Sequence, residues 1–266
     1  MAKEISESQE SAEEFPPHVL REYALLADGE RGALIGPRGD LAWMCAPRWH
    51  SDGVFSSLIG GGGRYAVTPR DPRFVWGGYY EDGSLIWHSR WVTTTGVIEC
   101  REALAFPGDP DTVVVLRRVM AVQGEARVRV SLEARADFGR RGMTSVEAHD
   151  GIWTARSGAL RLRWSGADGA TPTAGGALGL DLTIAAGSHH DLVLEMGDHT
   201  LADHPVDAGG AWQATEAGWR QTVPDMGGLL AARDARHAYV VLRGLTSGGG
   251  GMVAAATMSL PERARA

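Results

Sequence analysis

The stretch Gly32–Leu58, GALIGPRGDLAWMCAPRWHSDGVFSSL, sets the reading of the chain. Two short apolar runs, Ala33–Ile35 and Leu41–Cys45, flank Pro37-Arg38-Gly39-Asp40, a turn signal of the kind that closes a β-hairpin. The second run meets Ala46-Pro47, and a proline lacks the N–H that a continuing ladder needs, so the strand is predicted to stop there. Immediately beyond stand Arg48, Trp49, His50 and Asp52: a guanidinium, an aromatic face, an imidazole and a carboxylate. Such a strand reads as a rigid element that aims its loop at something. A plainer reading stays open, in which the loop caps the hairpin and Trp49 packs inward.

Outward from this hairpin the chain keeps a strand-like period. Residues 64–68 and 73–80 read as strands, and residues 85–92 alternate Leu85, Trp87, Ser89, Trp91 against Ile86, His88, Arg90, Val92. Residues 97–104 alternate in the same way. Residues 112–122 and 126–134 bracket Gln123-Gly124 and predict a hairpin. The second of these strands places Ala126, Val128, Val130, Leu132 and Ala134 on one face. Arg127, Arg129, Ser131, Glu133 and Arg135 take the other, which reads as a solvated sheet face. Turns at Asp150-Gly151 and Ser157-Gly158 mark two more hairpins, and residues 178–184 and 192–196 two further strands. The count and spacing predict a mainly β protein: a large two-sheet antiparallel sandwich over residues 19–205.

Past Pro205 the period changes. Residues 211–219 carry Trp212, Thr215, Glu216 and Trp219 at helical spacing. Residues 228–245 predict an amphipathic helix with Leu230, Ala238, Val241, Leu242 and Leu245 on its apolar stripe, ending near Gly244. Left without a partner, that stripe would drive self-association, so a homo-oligomer is possible. Residues 1–18 are expected to form a disordered acidic tail, since residues 1–14 hold five Glu, one Lys and almost nothing apolar.

Composition excludes several classes of function. The 266 residues are 44% hydrophobic and 22% charged, ordinary values for a globular protein. The net charge of −7 is spread through the chain, which argues against nucleic acid or an anionic membrane surface as partner. No apolar run approaches a membrane span and no secretory signal precedes the body, so the expected location is cytoplasmic. Cys45 and Cys100 are then expected to be reduced and buried. Nine Trp outnumber the five Tyr and five Phe, which suits either sugar stacking or the filling of a large core.

Chemical motifs are sparse. Gly60–Gly63 lacks the Lys-Ser/Thr of a phosphate loop, and Gly53-Val-Phe-Ser-Ser57 is not a nucleophile elbow. His189-His190-Asp191, Asp198-His199 and Asp203-His204 invite a metal reading, but adjacent histidines on a strand point to opposite faces. Neither a metal nor another cofactor is expected.

Tyr23–Gly29, Ala33–Ile35, Gly39 and the block Trp43-Met-Cys-Ala-Pro-Arg-Trp-His-Ser51 together resemble the N-terminal signature of bacterial glycoside hydrolase family 15, the glucoamylase-, glucodextranase- and trehalase-like enzymes. The usual pattern is roughly D-G-S-I-D-W-L-C-L-P-R-F-D-S; here Ala42 and His50 replace two of its aspartates. Arg135–Arg140 and Ala254–Glu262 extend the likeness. The resemblance implies a supersandwich followed by a catalytic (α/α)6 barrel, of which residues 206–266 would supply a linker helix and the first helix. It also implies inverting hydrolysis by two barrel glutamates, so no catalytic residue is expected in this chain, Glu262 included. The implied function is a non-catalytic sandwich portion, truncated before the barrel body and inactive alone. It would support a barrel in cis or in trans that acts on an α-glucoside or glucan, with Arg48, Trp49, His50 and Asp52 at the rim of the substrate pocket. The rival is a stand-alone sandwich that binds carbohydrate or protein and hydrolyses nothing.

Overall fold

Residues 15–257 are described by a computed structural model. The first hairpin forms where the turn signal puts it. Strands β1 (Ala24–Ala27), β2 (Gly32–Ile35), β3 (Leu41–Cys45) and β4 (Gly53–Phe55) make a small antiparallel sheet in that order. Gly39 has φ +73°, and an added Cβ would collide with the Val67 carbonyl, so the turn needs glycine there.

Twelve further strands follow: β5 (Arg64–Pro69), β6 (Phe74–Tyr80), β7 (Trp87–Thr93), β8 (Val97–Leu104), β9 (Thr112–Gln123), β10 (Ala126–Glu133), β11 (Met143–His149), β12 (Ile152–Ser157), β13 (Leu160–Ser165), β14 (Thr171–Pro172), β15 (Leu178–Ile184) and β16 (His189–Gly197). They divide into an eight-stranded sheet of spatial order β11-β12-β13-β16-β9-β8-β7-β6 and a four-stranded sheet of order β14-β15-β10-β5. All pairings are antiparallel. The fold is thus mainly β, a sandwich of large antiparallel sheets, with the small hairpin sheet as a third layer element.

One expected hairpin does not exist. β9 and β10 do not pair: β9 lies between β8 and β16, while β10 lies between β5 and β15 in the facing sheet. Both edges of β9 are already occupied, so the turn at Gln123-Gly124 carries the chain across the sandwich instead of back along it. The alternation read along β10 still holds, with Val128, Val130 and Leu132 buried and Arg127 and Arg129 exposed.

Two cores result. The first lies between the large sheets and includes Tyr65, Val67, Trp91, Cys100, Val115, Val130, Trp164 and Leu194, with Met44 and Phe55 from the small sheet. Cys45 and Cys100 are both free and buried. Inside this core sits an ion pair. Glu102 of β8 and Arg117 of β9 are each fully buried, and the guanidinium also donates to the carbonyls of Tyr65 (3.0 Å) and Gly39 (2.5 Å).

The second core covers the outer face of the eight-stranded sheet, where Ala103, Leu116 and Val193 meet two helices. Helix α1 (Ala208–Thr222) begins where the Asp207 carboxylate accepts the N–H of Gly210, an N-cap that satisfies an otherwise orphaned donor. Its Trp212 and Trp219 are buried, the latter stacked on Phe106 with centroids 3.8 Å apart. Helix α2 (Ala232–Gly244) buries Val240 and ends at Gly244, where any side chain would strike Leu85 and Ala27. The expected helix start at residue 228 is therefore too early. Leu230 lies in the preceding turn, fully exposed, while Leu245 is buried just past the helix. The anticipated stripe is split, with Ala238 and Leu242 outward, Val241 half-buried and Leu245 buried against the sheet beside Val240, which the stripe did not include. Among the described residues no helix is long and apolar enough to cross a membrane.

Candidate functional site

The segment after β3 makes a tight turn held by its own backbone. Arg48 N–H donates to Ser51 Oγ (3.1 Å), and Ser51 N–H donates to the Arg48 carbonyl (3.0 Å). Trp49 N–H reaches the Glu30 carbonyl (3.1 Å), which ties this turn to the one between β1 and β2. The indole of Trp49 points inward. Its Nε1–H donates to the Gly29 carbonyl at 2.7 Å, and its ring lies so close to Gly32 that an added Cβ would sit 2.7 Å away. At 6% exposure Trp49 belongs to the second core and presents no face to stack on a sugar.

Arg48 is half-exposed and bridges loops. Its guanidinium pairs with Asp111, in the loop between β8 and β9, and approaches Asp198, just past β16, at 4.0 Å. Asp52 and Asp40, the nearer carboxylates in sequence, do not receive it: Asp40 is buried in the hairpin, and burial pushes its carboxyl up. His50 and Asp52 are exposed and make no hydrogen bond or ion pair among the described residues. The turn thus offers two free polar groups, one bridged arginine and no aromatic platform.

Beneath it lies a pair that local sequence did not single out. Asp28 Oδ1 accepts the N–H groups of Glu30 (2.8 Å) and Arg31 (2.9 Å), while Oδ2 lies 3.2 Å from Arg31 Nε. Both side chains are buried, and the guanidinium also donates to the Asp109 carbonyl. Burial pushes the Asp28 carboxyl up to about 6, against the pull of Arg31 and the two backbone donors. The dipeptide Asp28-Gly29 signals a turn, but nothing local shows that Arg31 will reach a loop some eighty residues on.

The segment following α2 runs over the same end. Gly29 N–H donates to the Gly244 carbonyl (2.9 Å), Gly248 N–H to Glu30 Oε1 (2.6 Å), and Trp43 Nε1–H to the Ala256 carbonyl (3.0 Å). Four loops and the C-terminal segment therefore converge around Arg48, held by alternating carboxylates and guanidiniums. The arrangement is suited to holding loops in place. Asp28, with a raised pKa, is too buried to meet a substrate, and Asp111 is occupied by Arg48.

A second polar cluster lines the outer face of β6–β8. His88 lies between Glu81 (Nε2–Oε1 2.8 Å) and Glu99 (Nδ1–Oε2 3.1 Å) and stacks on Tyr79. Arg101 joins Glu81 to Glu216 of α1 and lies 4.3 Å over the Trp212 ring. Burial works to raise the Glu81 carboxyl, but the hydrogen bonds and charges of His88 and Arg101 prevail and hold it at about 2. This network fastens α1 to the sheet.

The histidine-rich region is dispersed. His190 Nε2 meets the Gly166 carbonyl (2.6 Å), Asp191 is taken by Arg118, and the His204 carbonyl accepts from Arg163. Among the described residues no three His, Cys, Asp or Glu are grouped to hold a metal ion.

The model of the "Trehalase-like, N-terminal" family matches residues 14–219. The chain belongs to this family. The trehalase of Mycobacterium tuberculosis is 29% identical over 98% of this chain, and that of Mycolicibacterium smegmatis 28% identical over 93%. This trehalase-like N-terminal chain spans 42% and 41% of the length of those two relatives. Among solved structures, a putative kojibiose phosphorylase from the human microbiome is similar at TM-score 0.36 and 9% identity, over 83% of this chain and 31% of its own.

Proposed function

We propose that this chain is the non-catalytic N-terminal sandwich portion of a family 15-like glycoside hydrolase that acts on α-glucosides, glucoamylase- or trehalase-like, with trehalose the first substrate to try. The observation that carries the reading is the family match across most of the chain, joined to relatives named trehalases that are more than twice as long. In this reading residues 206–266 lead into an (α/α)6 barrel supplied in cis or in trans, and α2 is its first helix. Exposed Leu229, Leu230 and Leu242 would meet barrel helices. The loop end around Arg48 would face the barrel, with His50 and Asp52 at the pocket rim and Arg48 setting the position of the turn.

The rival reading, a stand-alone sugar-binding module, calls for an exposed aromatic platform. Six of the tryptophans are buried, and among the described residues only Trp76 is exposed, at 38%. That favours the core-filling account of the tryptophan count.

The experiment has two arms. The 266-residue chain alone is expected to hydrolyse neither trehalose nor maltose, because the carboxylate pair that would supply general acid and base is assigned to the barrel. Joined to the C-terminal part of a mycobacterial trehalase, it is expected to support hydrolysis. Arg48→Ala in that fusion should lower kcat/KM with little change in melting temperature. Turnover by the isolated chain, or kinetics in the fusion that ignore Arg48, would refute the corresponding part.

A further inference from the structure

Strand β6 is the last strand of the eight-stranded sheet, and among the described residues no strand lies beyond it. Its sequence, Phe74-Val-Trp-Gly-Gly-Tyr-Tyr80, contains no charge and no proline, the devices by which proteins blunt an edge. Val75 is 73% exposed, Tyr79 45%, Trp76 38%, and Val92 on neighbouring β7 48%. The opposite edge of the same sheet differs. There β11 is broken by a bulge between Thr144 and Glu147, with Glu147 and His149 exposed, an interrupted and polar margin.

The hydrogen-bonding sense of β6 can be read from its neighbours. Glu81 N–H donates to the Ile86 carbonyl across the β6–β7 pair, while Thr93 N–H, opposite Phe74, turns away to Gly96. Antiparallel alternation then aims the N–H and C=O groups of Phe74, Trp76, Gly78 and Tyr80 at the open side.

We propose that β6 is a docking edge for a second copy of this chain, which pairs antiparallel about Gly77 and continues the eight-stranded sheet across a two-fold axis. An edge-to-edge pairing must match outward-aimed residues with each other, and this register does. Trp76 exchanges hydrogen bonds with Gly78 of the second copy, and Phe74 with Tyr80. Val75 stands opposite Tyr79, a β-branched–aromatic pair that favours antiparallel association. Just outside the strand, Arg73 comes opposite the Glu81 carboxylate. Arg73 is exposed, with Asp71 as its near charge, and Glu81 is already held by His88 and Arg101, so the register sets the two opposite without depending on a new ion pair. Both copies use the same patch, so the contact closes at two.

Gly77 provides the test. An added Cβ there meets nothing within 4 Å. In the proposed register the two Gly77 residues face each other in a non-hydrogen-bonded pair, with Cα atoms about 4.5 Å apart, within disulfide range. Cys45 and Cys100 are buried and do not compete. Under mild oxidation Gly77→Cys is expected to run at twice 28.4 kDa on a non-reducing gel. Val75→Cys, whose two copies would lie roughly 13 Å apart, should give at least tenfold less dimer. The double variant Val75→Cys/Tyr79→Cys should cross-link again, which covers a failure of Gly77→Cys to fold. The unsubstituted chain should sediment as a concentration-dependent dimer. A strictly monomeric chain, or equal cross-linking of Gly77→Cys and Val75→Cys, would overturn the proposal.

Discussion

Replacing Glu102 by Gln tests what holds the sandwich layers together. Glu102 and Arg117 are each 0% exposed. The guanidinium donates Nε–H to Glu102 Oε1 at 2.9 Å, Nη1–H to Tyr65 and Nη2–H to Gly39, and it lies 4.5 Å over the Tyr65 ring. Glu102 Oε2 in turn accepts the Ser89 hydroxyl at 2.7 Å. One arginine thus joins the eight-stranded sheet, the four-stranded sheet and the first hairpin. Glutamine keeps the shape, and with its carbonyl toward Arg117 its NH2 group can donate to the Ser89 hydroxyl, but it removes the one negative charge that touches that cation among the described residues. Removing one partner of a buried pair costs about 3–5 kcal/mol, a large share of the roughly 5–15 kcal/mol that stabilises a domain. For a chain of this size the melting temperature should fall by roughly 6–20 °C. Urea unfolding should show a lower midpoint at unchanged slope. The double replacement Glu102→Leu/Arg117→Met, which removes both charges, should cost less than Glu102→Gln alone, because Gly39 O keeps the Val67 N–H as a donor. A Glu102→Gln protein within about 1 kcal/mol of the parent would refute the view that the pair ties the layers together.

Gly39→Ala should destabilise by about 1–2 kcal/mol from the left-handed backbone alone, and by more from the collision with Val67, read by thermal denaturation. Asp28, with a carboxyl raised to about 6, holds its proton longer folded than unfolded. Its contribution is therefore full below the ordinary aspartate range and is lost as pH rises through about 6, by roughly 3 kcal/mol in all, and Asp28→Asn should flatten that slope. Glu81 acts with the opposite sign. Held at about 2, it stabilises above the ordinary glutamate range and loses that contribution as pH falls toward 2, a loss that Glu81→Gln should abolish in acid-unfolding curves.

Much of this fold is legible in the sequence, because alternation marks which side chains face inward. The turn at Pro37–Asp40, the buried cysteines and the first helix stand where their patterns put them, while the second helix starts later than its pattern suggests. Alternation does not name a strand's partner, however. Gln123-Gly124 carries the local signal of a hairpin, and only the occupancy of both β9 edges sends β10 to the other sheet. The candidate site divides the same way. Proline stops β3 as expected, whereas the direction of Trp49 depends on Gly29 and Gly32, which leave a carbonyl and a gap for the indole. Asp28 lies three residues from Arg31, but the Asp109 carbonyl that Arg31 also reaches and the Asp111 carboxylate that holds Arg48 lie in a loop far along the chain, and no spacing rule reaches them.

The second core bears on how a gene for this protein could be cut and rejoined. A recombination break at codon 205, where the periodicity changes, would carry off Trp212, Trp219, Val240 and Leu245. Leu116, Val193 and Ala103 would then be wetted on one side of the big sheet, and Arg101 would lose Glu216. The heritable unit is therefore longer than the sandwich alone, and a viable splice should fall beyond Leu245.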